Sequence, residues 1–291
     1  MINKIMTNKK TLGLIALITT AFVAILLIFA FQSDSSHQGE AGGIPFSKTQ
    51  RMLPPVNAKI SHGTKEVPDF GNINQVLERK VAFFSYLLPA IQSENQHILA
   101  QRDTLLRLHE KVLQGKALTS RETKWLDDLS EYYRVDANDR TRRFNLLLRR
   151  VDIVPETLVL IQAANESGWG TSRFAQSALN FFGQWCWTEG CGIVPDQRPS
   201  GESYEVRLFN SMEASVKSYI RNLNTHAAYQ ELRSIRYGLR TNEQPITAVP
   251  LTAGLMSYST RGEDYIHELQ QMIRVNRPII EVVRDELEDN H

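Results

Sequence analysis

With 33 Lys and Arg against 32 Asp and Glu in 291 residues, a net charge of +1 and no long basic run, the chain lacks the electrostatic footprint of a nucleic-acid binder. Hydrophobic residues make up 42%, and setting aside an anchor and a linker leaves about 220 residues, enough for one large domain or one domain with a helical extension. The seven histidines are scattered without a His-Glu-x-x-His pattern, so no metal site and no cofactor is expected, and partners should be neutral or of mixed charge.

Residues 12–31 contain no charge, and twenty residues at ~1.5 Å rise each cross a ~30 Å hydrocarbon core as a helix. Lys4, Lys9 and Lys10 precede them in residues 1–11 without an acid, which places that terminus in the cytoplasm and the rest outside. The apolar run is long for a signal peptide and Ile28-Phe29-Ala30 is a poor cleavage site, so the expectation is a retained single-pass anchor in the inner membrane. Residues 32–71 are rich in Ser, Gly and Pro and read as a linker.

Apolar residues recur at helical spacing from Ile73 to Val112, predicting two long helices divided or kinked at Pro89 and ended by Gly115. Thr119-Ser120-Arg121-Glu122 has the capping-box pattern before a third helix, and residues 72–150 together form a helical extension. Pro155-Glu156 starts a further helix that runs through Gln162 to a left-handed stop at Gly168. Glu166 falls in its last turn, where the helix dipole and the neighbouring Trp169 disfavour an ionised carboxylate. A raised pKa is what a general acid requires.

Thr171 is placed to cap a short helix, and Cys186 and Cys191 suggest a disulfide if the domain lies outside the cytoplasm. Alternation at Tyr204, Val206 and Leu208 marks a strand, paired with a segment near Trp185. Helical spacing returns from Ser211 to Arg236 and again from Glu263 to Val275, and residues 276–291 read as a frayed acidic tail.

The string Ala163-Ala164-Asn165-Glu166-Ser167-Gly168-Trp169-Gly170, with Asn180-Phe181-Phe182-Gly183 downstream, resembles the signature of the bacterial glucosaminidase domain, glycoside hydrolase family 73. Val206-Arg207-Leu208-Phe209 and Tyr258-Ser259-Thr260 with Tyr265 extend the resemblance over residues 151–275, and the whole layout is similar to the membrane-anchored Bax-type bacterial proteins. It implies an α+β, mostly α fold: a lysozyme-like helical lobe with a small β lobe, preceded by the helical extension. It also implies a periplasmic hydrolase that cleaves the N-acetylglucosaminyl β-1,4 bond of peptidoglycan glycan strands, with Glu166 as proton donor.

Glu205 and Glu202, on or beside the β-lobe strand, are candidates for the second acid, and Glu189 is a third. Trp169, Trp185, Tyr229, Tyr258 and Tyr265 are the expected sugar-binding aromatics, while Phe181 or Phe182 and Tyr219 are expected in the core. The rival enzyme readings are a lytic transglycosylase or muramidase and, with less support, an amidase. A non-catalytic cell-wall scaffold is the rival of another class.

Overall fold

The computed structural model describes residues 52–60 and 63–289. The expected anchor at residues 12–31 lies outside them, and no helix among the described residues is long and apolar enough to cross a membrane. The described chain is mostly helical with a small antiparallel sheet, as the α+β expectation required.

Helix α1 (Val76–Leu113) is the longest among the described residues, followed by α2 (Ser120–Tyr132) and α3 (Arg140–Arg150). The capping box forms as read: Thr119 Oγ1 accepts from the Glu122 amide while Glu122 Oε2 accepts from the Thr119 amide at 2.7 Å. Helix α4 (Glu156–Ser167) is central, with every residue from Leu158 to Ala164 buried, and α5 (Arg173–Ala178) follows it. Strands β1 (Trp185–Cys186), β2 (Gly192–Ile193) and β3 (Glu205–Arg207) form the sheet in the order β1-β3-β2. Helices α6 (Met212–Thr225), α7 (Gln230–Thr241), α8 (Ala248–Thr252) and α9 (Glu263–Asp289) complete the fold.

Three boundaries differ from the sequence reading. Pro89 lies inside one continuous α1 and does not divide it. The proline is exposed while Leu87, Leu88, Ala90 and Ile91 around it are buried, so packing of the inner face outweighs one missing hydrogen bond on the outer one. The expected tail is the second half of α9, because Asn276, Ile280 and Val283 continue the buried stripe begun by Ile266, Leu269 and Ile273 at three- and four-residue spacing. That stripe packs on α1 and α4.

The linker is also shorter than expected. From Leu53 onward the chain belongs to the same compact unit as the helices. The carbonyl of Pro54 accepts from Trp125 Nε1 at 2.7 Å, those of Pro55 and Val56 accept from Gln101 Nε2, and Phe70 is fully buried against Phe83. Proline carbonyls remain good acceptors, so a Pro-rich segment without periodicity still docks where side-chain donors meet it.

The extension and the domain share one core. Buried Asp152, at the α3–α4 junction, accepts from Arg240 Nε and Nη2 at 3.0 and 2.7 Å and lies 3.4 Å from Arg102 Nη1 of α1. Arg236, also buried, donates to the carbonyls of Arg149, Asp152 and Ile153. Burial alone would raise the Asp152 pKa, but the Arg240 hydrogen bonds and the charges of Arg236 and Arg102 hold it below the usual carboxylate value.

Candidate active site

Glu166 occupies the last turn of α4, and its position depends on how that helix stops. Gly168 at φ 58°, Trp169 at φ 59° and Gly170 at φ 76° are three successive left-handed residues. They reverse the chain sharply, with the amides of Gly168 and Trp169 both bonding back to the Ala164 carbonyl. A Cβ on Gly170 would stand 2.5 Å from the Phe70 ring, so only glycine fits there.

The same reversal carries Trp169 away from the cleft. Its indole packs on Phe83 and Phe84 of α1 with Lys80 Nζ 5.1 Å above the ring, which corrects its expected sugar-binding role.

One face of α4 presents Gln162 and Glu166 a turn apart, and a hydrogen-bonded chain runs along it. Tyr219 of α6 donates its hydroxyl to Gln162 Oε1. Gln162 Nε2 donates to the Tyr265 hydroxyl at 2.8 Å, and Tyr265 of α9 donates to Glu166 Oε1, also at 2.8 Å. The amide of Gln162 has one accepting and one donating end, so the chain has a fixed polarity that leaves the Tyr265 proton pointing at the carboxylate. Oε1 is thereby committed as an acceptor, and a proton on Glu166 belongs on Oε2.

Oε2 faces the Asn180–Gly183 turn, where a Cβ on Gly183 would lie 3.8 Å away. Asn180 holds that turn: its Nδ2 donates to the carbonyls of Gln184 and Arg207, and its Oδ1 accepts from the Gln184 amide at 3.0 Å. Burial raises the Glu166 pKa, opposed by the hydrogen bonds from Tyr265 and Asn165, while Glu268 adds to the rise and Arg261 subtracts from it. The net effect is upward, as expected, but its origin is burial among the tyrosines and not the indole of Trp169.

Glu166 opens into a cleft of about 900 Å³ whose walls include Phe182, Gly183, Trp185, Trp187, Tyr229 and Tyr258. Tyr258 stacks on Tyr265 and donates to the Phe182 carbonyl at 2.7 Å, so it braces the site from both sides. Of the tyrosines lining the cleft, Tyr229 is buried and Tyr258 half-buried, whereas Trp185 and Trp187 are exposed there. Tyr265, expected to contact sugar, is 2% exposed and reaches the cleft only through Glu166. Phe182 and Tyr219 stack face to face at 4.0 Å in the core, and Phe181 is buried with them.

The candidate second acids do not join Glu166. Cys186 and Cys191 are disulfide-bonded, and Glu205 lies beneath that loop, its carboxylate accepting from the amides of Gly190 at 3.0 Å and Gly192 at 2.7 Å. Those amides, and after them the charge of Arg198 and the Cys191 amide, outweigh desolvation and hold its pKa below the ordinary value. Its cross-strand partner is Cys186, so the pleat turns Glu205 toward the disulfide and away from the cleft. Glu202 and Glu189 are exposed in loops outside the cleft. Among the described residues that line the cleft, Glu166 is the one carboxylate. The sequence places Gln162 in the helix and Asn180 in its motif but assigns neither a role, because their partners lie up to 103 residues away.

Residues 142–277 match a family model for the glucosaminidase domain, described as mannosyl-glycoprotein endo-beta-N-acetylglucosaminidase. The chain is 35% identical over 225 residues to protein bax of Escherichia coli (strain K12), an alignment covering 77% of this chain and 79% of that one. No solved structure gives a significant match. Glu166, the tyrosines behind it and the Asn180 turn all fall within the matched region, and the chain belongs to the glucosaminidase-domain family.

Proposed function

We propose that the protein hydrolyses the N-acetylglucosaminyl β-1,4 bonds of peptidoglycan glycan strands, with Glu166 as general acid. The observation that carries this reading is the cleft itself: its one lining carboxylate among the described residues has a raised pKa and one oxygen already held by Tyr265, leaving the other to the substrate. Glu166 Oε2 protonates the glycosidic oxygen as the bond from C1 breaks.

The absence of a second lining carboxylate among the described residues favours participation by the sugar's own 2-acetamido group over a protein nucleophile. Its carbonyl oxygen bonds to C1 as the leaving oxygen departs with the Glu166 proton. Water then attacks C1, ionised Glu166 takes the water's proton, the acetamido group is released, and the anomeric configuration is retained. Tyr265 stabilises the carboxylate between the two steps. Exposed Trp185 and Trp187 offer faces for sugar rings, and an envelope location matches the disulfide.

Mass spectrometry of digested sacculi tests the reading. Reducing-end N-acetylglucosamine is the expected product, and reducing-end or anhydro-muramic acid would replace it by a muramidase or a lytic transglycosylase.

A further inference from the structure

The net charge of +1 conceals a local excess. Four cationic side chains, Arg134, Arg207, Lys217 and Arg221, line the same cleft as Glu166. They come from separate elements: the turn after α2, strand β3, and one face of α6, where Lys217 and Arg221 stand a turn apart. None forms an ion pair with a carboxylate among the described residues.

Their existing contacts are neutral. Lys217 Nζ donates to the Ala58 carbonyl at 2.6 Å, and Arg221 donates through Nε and Nη2 to the Tyr132 carbonyl at 3.1 and 2.9 Å. Arg207 lies over the Phe209 ring, and Arg134 is exposed. Burial, with repulsion from Arg221, holds Lys217 below its ordinary pKa against the opposing charge of Glu94. Like charges gathered in one concave wall raise the local potential and favour an anionic ligand.

This inference rests on the glycan-hydrolase reading. A plain N-acetylglucosamine polymer carries no anion, whereas muramic acid carries a lactyl carboxylate or, when that is amidated, a peptide stem with carboxylates of its own. We propose that Arg134, Arg207, Lys217 and Arg221 form a subsite for carboxylates pendant on alternate sugars, which selects muramic-acid strands over uncharged ones.

The test is binding by the full-length Glu166→Gln protein to three soluble oligosaccharides of equal sugar number: peptide-bearing strands, peptide-stripped strands and a chitin oligosaccharide. The carboxylate-bearing strands should bind roughly tenfold tighter than the chitin oligosaccharide at low salt, with the gap closing as ionic strength rises. The tighter of the two identifies stem or lactyl carboxylate as the group held.

Arg134→Gln with Arg207→Gln should reduce the preference roughly three- to tenfold. Arg142→Gln, exposed on α3 outside the cleft, should leave it unchanged. Equal binding of all three probes, a salt-insensitive preference, or an equal loss on all three in the double variant overturns the subsite. Hydrolysis of sacculi by the wild type is scored separately: an active enzyme with unselective binding removes only the subsite, and selective binding without hydrolysis removes only the hydrolase reading.

Discussion

Tyr265 donates its hydroxyl to Glu166 Oε1 at 2.8 Å, and Gln162 donates to that same hydroxyl from the turn of α4 that precedes the acid. The tyrosine therefore stabilises the ionised carboxylate while burial disfavours it, and the two effects on the Glu166 pKa are opposed.

Removing the hydroxyl isolates one of them. In Tyr265→Phe the pKa of Glu166 should rise further, so the alkaline limb of the pH–rate profile, where the general acid loses its proton, should move to higher pH. The maximal rate should drop by roughly tenfold, because the carboxylate formed in the first step loses its donor. An unmoved alkaline limb with normal turnover would separate Tyr265 from the acid.

Glu166→Gln keeps the size and the acceptor for Tyr265 but has no proton to give. Turnover on purified sacculi should fall by ~10²-fold or more while binding persists. The thermal midpoint should hardly change, since Gln satisfies the same hydrogen bond without an ionisable group to bury. A folded variant that cleaves at the wild-type rate would remove Glu166 from the mechanism.

The parts of the site legible in sequence were those set by local rules. Gly168 had to follow a helix end, Thr119 and Glu122 had to cap one, and Glu166 stood in a last turn. What stayed hidden depended on direction. Spacing places Trp169 beside Glu166, yet three consecutive left-handed residues send its indole to α1. Alternation marks Glu205 as a strand residue, but in a strand of three it does not say which face meets the cleft and which the disulfide. The cations of the cleft are drawn from distant elements whose charges cancel in the net total.

The position of Glu205 makes its own prediction. Glu205→Gln replaces one of two accepting oxygens by a donor facing the Gly190 or Gly192 amide, so the loop bearing Trp187 should loosen. KM should rise and limited proteolysis should reach the loop sooner, with kcat kept within about tenfold. In the parent protein the loop's protection should persist above the depressed pKa of Glu205 and be lost as pH falls through it. A fall in kcat as large as that of Glu166→Gln, with the loop still protected, would restore Glu205 as a second acid.

Asp152 tests whether extension and domain fold as one. It faces Arg102 of α1 and Arg240 of α7, with Arg236 beside it and 2% exposure. Asp152→Asn preserves the shape but leaves three guanidinium groups together without a counter-charge, which should cost about 3–5 kcal/mol and lower the thermal midpoint by roughly 6–20 °C. The sign with pH follows from the depressed pKa. The carboxylate's contribution is fully present above its unfolded value and is lost as pH falls through the folded one, so the gap between parent and variant should be widest near neutrality and close in acid. Melting should remain a single transition that includes the Trp125 fluorescence of α2. A variant as stable as the parent at neutral pH would mean that the helices before residue 151 are held to the domain by their apolar faces alone, and one that melts in two steps would mean that their shared core does not couple them without the ion cluster.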